Sequence, residues 1–144
     1  MKISFLASHG GTSAKHIIAT IRSNQLEAEI GIVITNNPDS VIYDWCNENA
    51  VEVLCINGRT HLDELERDKA IYDALLKAKT DLIILSGYMK KIGMMTLAAY
   101  SNRILNIHPS LLPKHGGKGL YGDKVHQSLL LTQVISSLVQ RYSL

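Results

Sequence analysis

The sequence feature that most limits the fold is an alternation of short apolar segments with helical patterns. Apolar segments with strand preference occupy residues 2–7, 29–35, 51–55, 81–86 and 104–107. Helical patterns follow residue 13 and cover about 40–49, 62–79 and 94–100. Because helices that connect successive strands place those strands parallel in one sheet, we expect an α/β fold. Its sheet should be open, mostly parallel and Rossmann-like, with helices on its faces.

The longest of these helical patterns carries a rough apolar face. Its apolar residues, which we expect to face the sheet, are Leu62, Leu65, Ala70, Ile71, Leu75 and Leu76. Further along the chain, the pattern predicts another helix over 123–131 and an amphipathic helix in the tail over 132–144. A chain of 144 residues is long enough to bury a hydrophobic core as one domain.

Three polar or glycine-rich segments follow strands of the predicted sheet. They cover residues 8–13, 86–91 and 108–119. The carboxyl ends of parallel strands lie along one edge of a sheet, and open α/β sheets bind their ligands at that edge. We therefore expect the three segments to gather there and to form the functional site.

The first of these segments has the pattern of an anion-binding loop. Gly11 lets the backbone approach a ligand, and the amide groups at the start of the following helix point toward it. Thr12 and Ser13 add hydroxyl donors, although one of them can equally cap the helix in an ordinary tight turn. The loop lacks the glycine spacing of dinucleotide sites and P-loops, so dinucleotides and nucleoside triphosphates are not favoured as ligands.

The strand at 104–107 ends in an amide and an imidazole. Asn106 and His108 are two positions apart, so both project to the same side of the strand, which Pro109 ends. An imidazole moves protons near neutral pH, and an amide donates to a carbonyl oxygen that gains negative charge. Acyl or formyl transfer to an amine needs both groups. The same pair also occurs as turn-forming or structural hydrogen-bonding residues.

Charge and cysteine content narrow the range of functions. The net charge of +2 gives no basic field of the kind that binds nucleic acid. The apolar segments are too short for a membrane helix, and the apolar start of the chain is shorter than a signal-peptide core. Cys46 and Cys55 have neither metal-binding nor redox spacing, so we expect reduced, buried thiols in a cytoplasmic protein and no metal site.

Several segments together resemble a known family. Residues 106–113, Asn-Ile-His-Pro-Ser-Leu-Leu-Pro, resemble the signature of formyltetrahydrofolate-dependent formyltransferases. Residues 116–126, residues 86–90 and the loop at 10–13 resemble the branch that acts on glycinamide ribonucleotide. The resemblance implies transfer of a formyl group from 10-formyltetrahydrofolate to the amine of glycinamide ribonucleotide, in purine biosynthesis. The implied partners are small molecules, namely a phosphorylated ribosyl amine and folate.

The resemblance also implies a role for each matching residue. Asn106 would polarise the formyl oxygen, and His108 would act as general acid and base. The substrate phosphate would be held by Gly11, Thr12 and Ser13. Folate would be bound by Met89, Lys90, Lys91, Ile92 and Asn106, with Arg67 near its tail. The acceptor substrate would face Pro109, Gly117 and Lys118.

The resemblance ends near residue 131. It implies a formyltransferase-like domain over 1–131 and a divergent tail over 132–144, without the usual C-terminal strands of the family. A loop in that part of the family carries an aspartate that partners the histidine, and no Asp or Glu follows Asp123 here. We therefore expect weak or absent catalysis as one outcome. The alternatives are a formyltransferase for another amine, such as an amino sugar, and a non-catalytic assembly module. Because members of this kind of family can pair, the resemblance also implies a homodimer.

Overall fold

The structure, a computed structural model, describes residues 1–107. Its elements are, in chain order, β1 (Lys2–Ala7), α1 (Thr12–Arg22), β2 (Glu29–Thr35), α2 (Val41–Glu48), β3 (Val53–Cys55), α3 (Glu64–Lys77), β4 (Leu82–Ser86), α4 (Met94–Ala99) and β5 (Ile104–Asn106). The predicted alternation is confirmed, and the ends of the elements shift by only one or two residues. The helix predicted over 123–131 and the tail over 132–144 lie outside the described residues.

The five strands form one parallel sheet with the order β3-β2-β1-β4-β5. The predicted open, parallel sheet is therefore confirmed. From β1 the chain builds outward to β2 and β3, and it then returns to place β4 on the other side of β1. Because the direction of winding changes between β1 and β4, a crevice opens there at the carboxyl edge of the sheet.

Two hydrophobic cores cover the two faces of the sheet. On one face Phe5 packs with Ile17 of α1 and Ile42 of α2. On the other face Leu6 packs with Ile71 of α3. Phe5 and Leu6 belong to different cores because successive residues of a strand point to opposite faces. Because helices cover both faces of the sheet, ligands can reach the strands at the carboxyl edge of the sheet.

Only part of the predicted apolar face of α3 is buried. Ile71 and Leu75 are 6% and 0% exposed, whereas Leu62, Leu65 and Leu76 are 85%, 76% and 51% exposed. The prediction for the last three residues is wrong. Leu62 precedes the helix, and Leu76 is turned roughly 100° around the helix from Leu75. Leu65 lines a cavity beside the helix instead of the sheet.

Both cysteines are free thiols. The predicted burial is confirmed for Cys46, whereas Cys55 is only half-buried. Burial raises the pKa of the Cys46 thiol to about 11, so that thiol is protonated at neutral pH. Within residues 1–107 no group of three or more His, Cys, Asp or Glu side chains could hold a metal ion. No helix in that range has both the length and the apolar character needed to cross a bilayer.

Candidate functional site

Two loops meet at the crevice between β1 and β4. Residues 8–11 connect β1 to α1, and residues 87–93 connect β4 to α4. Ala7 pairs with Ser86 in the sheet register, so both loops leave the sheet at the same level along the two strands. The sequence predicted this gathering for the first two polar segments. The third predicted segment, 108–119, lies outside the described residues.

Gly11 makes the turn between β1 and α1, and only glycine fits there. Its backbone is left-handed, with φ 58° and ψ 40°, and a Cβ atom would overlap the side chain of Ile42. The helix follows at once, since the amide of Lys15 donates to the carbonyl of Gly11 at 2.8 Å. No side chain caps α1, so the alternative in which Thr12 or Ser13 is the cap is wrong. A helix start of this kind suits an anion.

The hydroxyl of Ser13 is turned toward the end of β4. Its Oγ lies 2.6 Å from the Oγ of Ser86, and the amide of Ala14 donates to the same Ser86 oxygen at 3.1 Å. Ser13 and Ser86 are both buried, whereas Thr12 is exposed. If the hydrogen of Ser86 donates to Ser13, the hydroxyl hydrogen of Ser13 is left for a ligand. The contact ties the first turn of α1 to the root of the second loop.

A second hydroxyl, that of Ser8, ties the second loop to the rest of the sheet. Ser8 Oγ accepts the amide of Met89 at 2.8 Å and donates to Oδ1 of Asn36 at 2.6 Å. The carbonyl of Asn36 in turn accepts Nδ2 of Asn57 at 3.1 Å. The bonds join segments that follow β1, β2, β3 and β4. Sequence reasoning missed these residues, although a polar residue directly after a strand was a usable signal.

A cavity of about 580 Å³ opens beside the second loop. It is lined by residues that follow β2, β3 and β4 and by residues of α3 and α4. They are Asn36, Ile56, Asn57, Gly58, Glu64, Leu65, Arg67, Asp68, Ile71, Tyr88, Lys90, Lys91, Ile92, Gly93, Met94 and Leu97. Four of the predicted folate-binding residues are in this lining, namely Arg67, Lys90, Lys91 and Ile92. Met89 is not among the lining residues and is 69% exposed.

Arg67 is held at the wall of the cavity by its own chain. Its Nη1 donates to the carbonyls of His61 at 2.9 Å and Leu62 at 3.1 Å. Burial raises the pKa of the Tyr88 hydroxyl, and the nearby charge of Arg67 opposes that rise. The lining combines apolar side chains with three cations and two carboxylates, and the cations suit the anionic end of a ligand that has an apolar body.

Asn106 is the one residue of the predicted catalytic pair that the structure describes. It is the last residue of β5, it is exposed, and it pairs with Leu85 of β4. Since β4 lies between β5 and β1, Asn106 is two strand spacings from the first loop, or about 10 Å. His108, Pro109, Gly117 and Lys118 lie outside the described residues, so their predicted roles stay predictions.

Comparison with known proteins identifies the relatives of this chain. The profile of the Formyl transferase family matches residues 1–132. A phosphoribosylglycinamide formyltransferase from Haemophilus influenzae is 35% identical, over 87% of this chain and 62% of its own length. The chloroplastic phosphoribosylglycinamide formyltransferase from Arabidopsis thaliana is 34% identical, over 90% of this chain and 44% of its own length.

Solved structures agree with the sequence comparison. The glycinamide ribonucleotide transformylase 1 from Symbiobacterium toebii superposes with a TM-score of 0.71 at 31% identity. The match covers 81% of this chain and 55% of that protein. The chain thus spans about half the length of the relatives it matches. The profile match over residues 1–132 contains the sheet and both loops.

Proposed function

The chain belongs to the formyl transferase family, and from that premise we propose that it acts in formyltetrahydrofolate-dependent formylation of the amine of glycinamide ribonucleotide. One observation carries the proposal above all. The loop after β1 and the loop after β4 flank a single crevice, and Asn106 ends the strand next to it. The names of the relatives, phosphoribosylglycinamide formyltransferases, supply the substrate class. The resemblance described above supplies the link to purine biosynthesis.

The phosphate of the acceptor is assigned to the first loop. The left-handed turn at Gly11 and the start of α1 without a side-chain cap support binding of an anion by backbone amides. Thr12 offers an exposed hydroxyl, and Ser13 offers one that the bond to Ser86 holds in place. A phosphate bound there would leave the rest of the acceptor to extend along the carboxyl edge toward Asn106.

The formyl donor, 10-formyltetrahydrofolate, is assigned to the second loop and its cavity. The donor would supply an activated formyl group attached to nitrogen. Arg67, Lys90, Lys91 and Ile92 line the cavity and fit an apolar ring system with an anionic tail. Met89 is assigned to the rim of this site, since its amide is held by Ser8 while its side chain is exposed.

Asn106 would provide the stabilisation that formyl transfer requires. As an amine attacks a formyl group, negative charge grows on the formyl oxygen, and a fixed amide N–H directed at that oxygen lowers the barrier. The position of Asn106 at the end of β5, beside the strand from which the second loop leaves, supports this role. His108 would move the protons, and Pro109, Gly117 and Lys118 would face the acceptor.

The remaining parts of the proposal concern partners and location. The small net charge of +2 is consistent with small-molecule partners and no nucleic acid. The free thiols of Cys46 and Cys55 are consistent with the reducing cytoplasm. Exposed apolar residues of α3 and α4 outside the cavity, such as Leu76 and Met95, would support a homodimer, which light scattering tests. A domain over 1–131 with a separate tail over 132–144 is also proposed.

A transfer assay tests the function directly. The full chain, 10-formyltetrahydrofolate and glycinamide ribonucleotide should give formylated product, and Asn106→Ala should slow its formation roughly 100-fold or more. Asn47→Ala is the matched control, because Asn47 is exposed on α2 and far from the loops in sequence. Transfer no faster than in the absence of protein, or equal loss in both variants, would refute the proposal.

A further inference from the structure

Helix α4 lacks a local means of starting. It has six residues, its N-cap is Gly93, and no side chain of its own N-terminal segment caps it. A helix this short has little stability in isolation, because the first turn costs more entropy than one hydrogen bond returns. A contact from another part of the fold must therefore hold the start of α4 in place.

The carboxylate of Asp68, in α3, makes that contact. Its Oδ2 accepts the amide of Met95 at 2.8 Å, and its Oδ1 accepts the amide and the hydroxyl of Thr96 at 3.2 and 2.7 Å. A normal cap residue would accept from these same second and third amides of the helix. Asp68 is 7% exposed, so the carboxylate is sheltered from competing water.

Gly93 makes room for this contact. A Cβ atom at Gly93 would overlap the side chain of Asp68. The backbone of Gly93 has φ −74° and ψ 164°, a conformation open to any residue, so the glycine is needed for space and not for its backbone angles. The Asp68 side chain therefore occupies the space that the absence of a side chain at Gly93 leaves open.

Asp68 holds one end of the segment that forms this wall, and Ser8 holds the other. The amide of Met89 is fixed by Ser8 Oγ, and the start of α4 is fixed by Asp68. Between the two anchors lie residues 90–92, which line the cavity. We propose that Asp68 is a positioning residue for the folate donor: by anchoring α4 it fixes the wall formed by residues 90–92. This inference rests on the function proposed above.

The carboxylate of Asp68 forms no ion pair with the cations that line the cavity among the described residues. Among residues 1–107 the one ion pair is between Lys69 and Asp73, at 4.0 Å. The carboxylate of Asp68 is balanced instead by N–H and O–H donors and by the dipole of α4. Lys90 and Lys91 are exposed at the rim and can face an anionic ligand. Loss of Asp68 should therefore act through geometry more than through charge.

Titration of the full chain with two probes tests this role. The probes are folinic acid, for the cavity, and ribose-5-phosphate, for the first loop. Asp68→Asn puts an amide nitrogen against the backbone donors, and it should weaken folinic acid about tenfold while ribose-5-phosphate binds as before. Asp73→Asn is the matched control, because it removes one carboxylate from the exposed side of the same helix and should change neither affinity.

A second pair of variants keeps the test valid if Asp68→Asn does not fold. Thr96→Val removes only the hydroxyl donor to Asp68 and should weaken folinic acid by a smaller factor, and Thr96→Ser should restore it. Equal loss for both probes, or no loss in Asp68→Asn and Thr96→Val, would overturn the positioning role and leave the proposed function standing. An unaltered chain that binds neither probe would overturn both.

Discussion

The loop after β1 and the loop after β4 flank the same crevice but are built in different ways. The first is short and closely packed: Gly11 is turned against Ile42, and Ser13 is bonded inside the fold. The second is longer, borders a cavity of about 580 Å³, and is fixed by Ser8 and Asp68 from distant parts of the chain. The conformation of the first loop is fixed mostly by its own residues. The conformation of the second loop is fixed by residues elsewhere in the chain.

This contrast matches what each loop would have to bind. A phosphate is small and nearly symmetrical, so a few backbone amides in one turn can hold it. A folate is large and has an apolar ring and an anionic tail, so it needs walls from several elements. Substitution of Gly11 should therefore damage the first loop alone. Substitution of Ser8 or Asp68, which lie outside the second loop, should damage the second loop.

The largest effect is expected from Gly11→Ala. The new side chain would be strained at φ 58° and would overlap Ile42, so the free energy of unfolding should fall by about 2–4 kcal/mol. Binding of ribose-5-phosphate should be lost in the same variant. Chemical denaturation and titration measure the two quantities. Gly10→Ala is the control, since a Cβ there would meet only Thr12 Oγ1, at 3.7 Å, and should be tolerated.

The next effect is expected from Ser86→Ala, which breaks the link between the two loops. The buried amide of Ala14 and the hydroxyl of Ser13 would lose their partner, at a cost of about 1–3 kcal/mol in unfolding free energy. Ribose-5-phosphate should bind more weakly. Ser8→Ala is the contrasting variant: it frees the amide of Met89 and should weaken folinic acid instead. If both variants weakened the same probe, the two loops would not be anchored separately.

A smaller effect is expected from Arg67→Ala in the wall of the cavity. The loss of a fixed cation should weaken folinic acid about tenfold, and more at low salt than at high salt. Ribose-5-phosphate should bind unchanged. Lys69→Ala serves as control because Lys69 is an exposed cation two residues further along α3. Equal weakening by both variants would mean that net charge, and not Arg67, attracts the ligand.

The smallest effect is a pH dependence of the free energy of unfolding, and it comes from His16 in α1, the helix that follows the first loop. Burial lowers the pKa of His16 below 6.5, and its Nε2 is buried without a hydrogen-bond partner among the described residues. The unfolded chain therefore binds the proton more readily than the folded chain, and stability should fall as the pH drops through 6.5 and below. In His16→Gln this part of the pH dependence should vanish. In His61→Gln, where the ring lies at the surface, it should persist.

The sequence predicted the sheet well because its signals are local. Apolar segments such as Leu82–Ser86 have a strand pattern of their own, and the glycine turn at Gly11 is visible in the sequence. The packing of α3 was predicted only in part, since Leu62, Leu65 and Leu76 are exposed. Helical periodicity cannot tell a helix face that meets a sheet from one that borders a cavity.

The supports of the site could not be predicted in the same way. Ser8, Ser86 and Asp68 contact partners that are 81, 73 and 27 positions away in sequence, and one chain without coordinates does not reveal such pairs. The resemblance to the family named residues that would touch ligands, and four of these residues line the cavity. The resemblance did not identify the residues that hold these ligand-binding residues in place.

Amide chemical-shift mapping of the full chain tests most directly whether the two loops bind different ligands at one crevice. Ribose-5-phosphate should shift the amides of Gly11, Thr12 and Ser13, and folinic acid should shift those of residues 89–92 and Arg67. A small overlap at Ser86 is expected, because it links the loops. Shifts confined to other parts of the sheet, or both ligands moving the same amides, would contradict the account.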